Sequence, residues 1–138
     1  MRNAVAHIPG FKENADFVLF CDDVGLRWLI DRFSKLSEKA FEIGDGAPFA
    51  AFGTLSIDVR VASGDKSSLL PKSSAQFAWT VANEDALSYC EQLMAMLGVG
   101  SGHQFLESDF GGRYPRVMVT KGEYDTEKVR RRLSAPSG

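Results

Sequence analysis

Histidine and cysteine are scarce in this chain, with two of each in 138 residues. Cys21 and Cys90 are too few and too far apart for a disulfide scaffold or a cysteine-based zinc site. Each lies in an apolar segment, where a small buried hydrophobe is the ordinary role. No 18 apolar residues run together, which excludes a membrane-spanning helix. The first residues hold no continuous apolar stretch ending in a cleavage-like site, so no secretory signal is read and a cytoplasmic protein with reduced thiols is expected. Excess charge is lacking too. Sixteen basic and 18 acidic residues leave a net charge of −2, which gives no general attraction to nucleic acid or to an anionic membrane.

What is present has the balance of an ordinary globular domain: 44% apolar and 25% charged residues, enough chain for one core without staples. Ala15 to Cys21 (ADFVLFC) is apolar at nearly every position, as a central strand is. Asp22 and Asp23 follow, suited to cap a helix and to face its positive end. That helix is predicted to run to about Lys39, with Leu26, Leu29, Ile30, Phe33, Leu36 and Ala40 on its buried face and Asp31 paired with Lys35 outside. Glycines 44, 46 and 53 and Pro48 then predict a loop, whose Phe41, Ile43, Phe49 and Phe52 close over a core edge. Thr54 to Val61 alternates cleanly, with Leu55, Ile57, Val59 and Val61 inward and Thr54, Ser56, Asp58 and Arg60 outward.

Ala62 to Ser74 (ASGDKSSLLPKSS) reads as a mobile connection. Ala75 to Ala82 is a third strand, alternating Phe77, Trp79 and Val81 against Gln76, Ala78 and Thr80. Asn83, Glu84 and Asp85 open a second helix. Its buried stripe is predicted as Ala86, Leu87, Cys90, Leu93, Met94 and Leu97, with Tyr89 and Met96 outside and Gly98 at its end. A hairpin follows, with arms near His103 to Phe110 and Tyr114 to Thr120, a Gly111-Gly112 turn, and Pro115 at a strand start or an edge. Residues 1–14 and 123–138 read as peripheral, the latter with a short helix capped by Asp125 or Thr126. No internal repeat and no domain boundary is visible. The order β-α-β-β-α-β-β predicts an α+β fold: a ferredoxin-like sandwich with two helices on one face of a sheet of four to five strands. Ser56, Asp58, Arg60 and Thr80 would line its other face.

No reaction centre stands out. Asp22-Asp23 after a strand is a place where magnesium and phosphotransfer sites occur, but capping explains both residues without further ligands. His103, at a glycine-flanked strand entry, would need an orienting partner, for which Asp109 and Glu107 are sequence neighbours, and no activated serine or cysteine accompanies it. G-V-G-S-G (Gly98 to Gly102) follows a helix and precedes a strand, the reverse of a phosphate-binding loop. Phe77-Ala78-Trp79 and Leu19-Phe20-Cys21 faintly imitate the stacking strands of RNA-recognition domains, yet core aromatics account for them better. Lys128, Arg130, Arg131 and Arg132 form a basic cluster of low specificity near the C-terminus. No catalytic residue, metal site or cofactor is therefore assigned.

Trp28 is the exception to these structural explanations. At about 100° per residue it falls opposite the apolar stripe, on a face shared with Arg32, Lys35 and Lys39, the composition of a protein-binding patch. Cover by the loop holding Phe49 and Phe52 is the alternative. GHQFLES (Gly102 to Ser108), followed by RVMVTKGEY (Arg116 to Tyr124), resembles a stretch of small bacterial single-domain proteins with G-H-Q-aromatic and basic-Gly-Glu-Tyr motifs, some of which look like contact-toxin immunity proteins. The resemblance covers the last third of the chain and implies a bacterial interaction protein, with no catalytic residues attached. The leading expectation is a non-enzymatic protein-binding or regulatory module, of immunity type, using Trp28, Arg32, Lys35 and Lys39. A small hydrolase or transferase around His103 is the alternative, and a weak RNA-binding sheet face the third. A protein partner or a homodimer is the association left open, with nucleic acid disfavoured.

Overall fold

The computed structural model describes residues 3–9, 11, 15–106 and 116–134. Its elements are β1 (Ala4–His7), β2 (Ala15–Cys21), α1 (Asp23–Ser34), β3 (Phe41–Ile43), β4 (Ala50–Ala51), β5 (Ser56–Val61), β6 (Ser68–Pro71), β7 (Gln76–Val81), α2 (Asn83–Leu97), β8 (Gly102–Leu106), β9 (Arg116–Lys121) and α3 (Thr126–Ser134). The mixed α+β class holds, but the strands form two sheets where one was expected. One is ordered β4-β1-β2-β9-β8 and the other β3-β5-β7-β6. A ferredoxin-like sandwich needs a single sheet, and here the parallel pairs β2–β9 and β5–β7 each sit at the centre of a separate one.

The two sheets are related to each other by position in the chain. A shift of 60 residues carries β2 onto β7 and β5 onto β9. The β2–β9 pair Phe17↔Val117 then becomes the β7–β5 pair Phe77↔Ile57, and Leu19↔Val119 becomes Trp79↔Val59. The outer strands follow. β1 against β2 (Val5↔Leu19) matches β6 against β7 (Leu69↔Trp79), and β8 against β9 (Phe105↔Met118) matches β3 against β5 (Glu42↔Asp58). Apart from the short β4, the chain is thus two ββαββ halves that exchange their last two strands: β3 and β5 join β6 and β7, and β8 and β9 join β1 and β2, with β4 added to the latter sheet. Residue i of one half contacts residue j of the other and the reverse, the relation of a two-fold dimer interface. The relation lies in strand pairing and is not visible as a repeat in the sequence.

The core obeys the same relation. Phe17 and Phe77, Leu19 and Trp79, Leu26 and Ala86, Leu29 and Tyr89, Phe33 and Leu93, Leu36 and Met96, and Val59 and Val119 are all buried in one cluster between the sheets and the helices. Only Phe17/Phe77 and Val59/Val119 among these are identical residues, so the repeat lies in burial and not in letters. α1 packs along α2, and Cys90 Sγ donates to the Ile30 carbonyl at 3.6 Å between them.

Even the helix entries correspond. Asn3 Oδ1 accepts the Asp22 backbone N–H at 2.8 Å before α1, and Ser67 Oγ accepts the Ala82 N–H at 2.8 Å before α2. Both acceptors are buried, and each meets a backbone donor that would be costly to leave unpaired. Asp22 caps α1 by accepting from Val24 and Gly25 N–H at 2.9 and 3.2 Å, as expected. α2 has Ala82 as its N-cap, without a side-chain bond of its own, so Asn83 does not cap it.

Other expectations give way. α1 ends at Ser34 instead of near Lys39, and Ala40 is exposed. Phe41 to Ile43 and Ala50-Ala51 are strands inside the predicted loop. The connection read as mobile holds β6, because Leu69 finds a buried place opposite Trp79. On α2 the buried residues include Tyr89 and Met96, while Leu87 and Met94 are 62% and 50% exposed. The stripe is turned toward α1, whose Phe33 ring meets Tyr89 at 5.4 Å. Gly98 ends α2 with φ −86°, not in the left-handed region. Residues 4–7, read as part of a loose arm, form a strand between β4 and β2 with Ala4, Val5 and Ala6 fully buried.

β2 is apolar from Phe17 to Cys21 because its sheet is covered on both faces. Val18 and Phe20 point into a second cluster with Ala4, Ala6 and Met118, closed by Phe11, Phe52, Phe105, Tyr124 and Val129 of α3. The outer face of the other sheet is polar as expected: Arg60 is exposed, Ser56, Asp58 and Thr80 are half-buried, and Lys72 pairs with Asp58 at 2.8 Å. The predicted Gly111-Gly112 turn and Pro115 lie outside the described residues, though the antiparallel β8–β9 pair that they would join is formed.

Candidate functional site

The helix face singled out by Trp28 becomes a groove. Trp28 is half-buried, with Phe41 and Phe49 meeting its ring edge to face, both at 5.6 Å between centroids. Phe52, the other proposed cover, turns instead toward Phe20 at 6.0 Å in the second cluster. Arg32 lies across the Trp28 ring, its Cζ 4.9 Å from the centroid, a cation–π contact. Trp28, Arg32, Lys35 and Lys39 line one cavity of about 350 Å³ together with Glu38, Ala40, Phe41 and Glu42. A smaller one of about 150 Å³ continues past Trp28 along Glu42 to Ala47 and Phe49. Four of the candidate binding residues, Trp28, Arg32, Lys35 and Lys39, therefore meet in one place, and the fifth, His103, does not join them.

The basic rim is partly neutralised from within. Asp31 takes Arg32 Nη1 and Lys35 Nζ, each at 2.8 Å. The Lys35 hydrogen bond, followed by the Lys35 and Arg32 charges, holds the Asp31 carboxyl below its ordinary range despite the opposing effect of desolvation. Lys39 forms no ion pair among the described residues.

In the second half the corresponding place is bridged by a side chain. The 60-residue shift places Gln92 where Arg32 stands, and Gln92 Nε2 spans from α2 to β8, donating to the Phe105 carbonyl at 3.1 Å and to Gln104 Oε1 at 3.2 Å. Arg32 makes no such bridge: it is bonded to Asp31 and lies on Trp28.

His103 lies elsewhere, on β8, 28% exposed and edge-on to Phe105 at 5.5 Å. Its Nδ1 is 3.0 Å from both oxygens of Glu123, and Thr120 Oγ1 donates to Glu123 Oε1 at 2.7 Å. The expected partners Asp109 and Glu107 fall outside the described residues. Glu123 was missed because it lies beyond the strand. The β8–β9 register sets His103 opposite Thr120, and Gly122, at φ 69°, turns the chain so that Glu123 comes back over Thr120. A Cβ at Gly122 would stand 2.6 Å from the Gly100 carbonyl, so the turn admits only glycine. Beside it, at the C-terminal ends of the parallel strands β2 and β9, a cavity of about 320 Å³ is lined by Asp22, Thr120, Glu123, Tyr124, Asp125 and Thr126 among others. Strand ends of this kind hold ligands in open α/β sheets. Yet Asp22 caps α1, and Asp125 caps α3 by accepting from Glu127 and Lys128 N–H.

Lys121, also missed from sequence, ties the helices together. Its Nζ donates to the Met96 and Val99 carbonyls at the end of α2, at 3.1 and 2.6 Å, and contacts Asp23 Oδ1 of α1 at 2.6 Å. Cys21 and Cys90 are free and buried, and burial pushes both thiols up, so neither is an activated nucleophile. Phe20, Phe77 and Trp79 are buried, as core aromatics are. His7, read in a loose arm, is stacked on Phe17 at 4.6 Å. Among the described residues no three His, Cys, Asp or Glu side chains converge on a point that could hold a metal ion, and no helix is long and apolar enough to cross a membrane. The chain matches no family model, and neither a curated protein nor a solved structure matches it.

Proposed function

We propose that this protein is a binding or regulatory module that engages another protein through the groove between α1 and β3, with Trp28, Phe41, Arg32, Lys35 and Lys39 as its contact set. The observation that carries the reading is the cavity that gathers Trp28, Phe41, Arg32, Lys35 and Lys39, at a place that the Gln92 bridge from α2 to β8 spans in the other half. A half-buried tryptophan beside arginine and lysine is the composition of an interface hot spot. The immunity-type resemblance of residues 102–108 and 116–124 supports the same class. A photoreactive amino acid at Lys39 of the intact protein, expressed in the source cell, should give a discrete protein adduct that Trp28→Ala removes. An adduct pattern unchanged by Trp28→Ala would refute this surface.

The His103–Glu123 pair favours a second reading, a small hydrolase or transferase. A carboxylate on Nδ1 orients the ring, while Nε2 accepts or donates no hydrogen bond among the described residues, the disposition of a general base. If this reading holds, His103→Gln abolishes turnover of a hydrolase or transferase substrate panel without unfolding the protein. Equal activity of the variant and the parent removes it.

A further inference from the structure

We infer that the partner of this groove docks as an extended segment, adding a strand to the free edge of β3. The inference rests on the groove being the binding surface, and it follows from comparing the two halves residue by residue. β3 and β8 are the corresponding edge strands of the two sheets. On β8 the Phe105 carbonyl accepts Gln92 Nε2, so α2 itself covers the edge. The register equates Phe105 with Glu42 and Gln92 with Arg32. Arg32 does not reach back to Glu42: it is bonded to Asp31 and lies on Trp28. The side-chain bridge to the edge strand that one half makes internally is not made by Arg32 in the other. Uncovered edge strands of this kind pair with added chains.

The space fits such a segment. The two cavities share Trp28 and Glu42 and run along the strand in both directions from them, a groove and not a round pocket. A strand laid there sets a backbone N–H against the Glu42 carbonyl and an apolar side chain beside Trp28 and Phe41. Charge sets its direction. Arg32, Lys35 and Lys39 line one cavity, where Glu38 is the opposing charge, Asp45 lines the other, and Glu42 is shared by both. The complementary segment is acidic, then apolar, then basic, with its acid over Lys39, which lines the groove and forms no ion pair among the described residues.

The test uses the intact protein and a displayed library of short linear peptides as the probe, with the strongest binder synthesised. The expected binder carries the acidic–apolar–basic pattern, and methylation of one particular backbone nitrogen weakens it by at least about tenfold, as a ladder hydrogen bond requires. Arg32→Gln installs the side chain that bridges the other half and should weaken the same peptide by about tenfold. Far-UV circular dichroism and thermal melting establish that the variants fold. Failure to enrich any linear peptide, indifference to every backbone methylation, or parent-like binding by Arg32→Gln overturns strand addition. A binder that still needs Trp28 but ignores methylation overturns only the mode of docking. One that is indifferent to both Trp28→Ala and Lys39→Glu overturns the groove, and the inference with it.

Discussion

Replacing Gly25 by alanine should destabilise this protein, although the same change in most helices stabilises by about 0.4–1 kcal/mol. Gly25 is buried in the first turn of α1, and a Cβ there would collide with Asn3 Oδ1 and stand 2.8 Å from Asn3 Cγ. Asn3 cannot yield freely, because that oxygen accepts the Asp22 N–H at 2.8 Å. Displacing it leaves a partly buried donor unpaired, at about 1–3 kcal/mol, and overpacking adds a cost of similar size. We expect a net loss of about 1–5 kcal/mol after the helix-propensity gain is subtracted. With an unfolding entropy of about 2.1 cal/mol/K per residue, that lowers Tm by roughly 3–17 °C for a chain of this length.

The second half shows the remedy. There Ser67 stands in the place of Asn3 and Asp85 in that of Gly25, and Ser67 Oγ serves both the Ala82 N–H and the Asp85 carboxylate. A shorter acceptor makes room for a larger helix residue. Asn3→Ser should therefore rescue Gly25→Ala, with a coupling of at least about 1 kcal/mol in a double-mutant cycle followed by urea unfolding at constant m-value. A stabilised Gly25→Ala variant, or additive effects of the two changes, would refute the steric argument and the correspondence of the halves on which it rests.

Cutting the chain between Gly64 and Asp65, through an inserted protease site, should leave both pieces associated and native by circular dichroism until denaturant is added, because each piece supplies strands to both sheets; separation on cleavage would contradict the exchanged pairing. Cys21 and Cys90 should resist a thiol-disulfide reagent at pH 8 in the native state and react promptly in denaturant, since burial keeps both thiols protonated; rapid native reaction would show that one of them is accessible. Asp31 has its carboxyl held low, first by the Lys35 hydrogen bond. Its contribution to stability is present above the ordinary carboxylate pKa and is lost as pH falls through the lowered value. Asp31→Asn should flatten that part of the acid limb, and an unchanged limb would mean that the pair is fully screened.

The candidate site was only half legible in the sequence. Helical periodicity was sufficient to group Trp28 with Arg32, four residues apart on α1. Lys35 caps the helix and Lys39 lies beyond it, so the turn after α1, and not helical spacing, brings Lys39 to the groove. Whether that face is open depended on Phe41 and Phe49, which arrive from a later segment. The same limit explains Tyr89 and Met96. Both neighbouring stripes of α2 are apolar enough to be buried, and hydropathy favours Leu87 and Met94, but α1 occupies the Tyr89 side. His103 was visible as a candidate while Glu123, its partner, was not. Their meeting requires the β8–β9 register and the turn at Gly122.

By itself the sequence determined the elements whose signals are local: the strand from Ala15 to Cys21, the capped start of α1 at Asp22, the alternating strands ending at Val61 and Val81, and the extent of α2. Each rests on periodicity or capping within a few residues, where chain entropy is cheap to overcome. Tertiary structure alone decided which strands pair. β5 reaches across to β7, and β9 to β2, because the buried faces around Val59/Trp79 and Leu19/Val119 complete one another, an energy that belongs to neither segment. That choice divided one expected sheet into two, made Leu69 a core residue, and left the place beside Trp28 without the side-chain bridge that Gln92 makes in the other half.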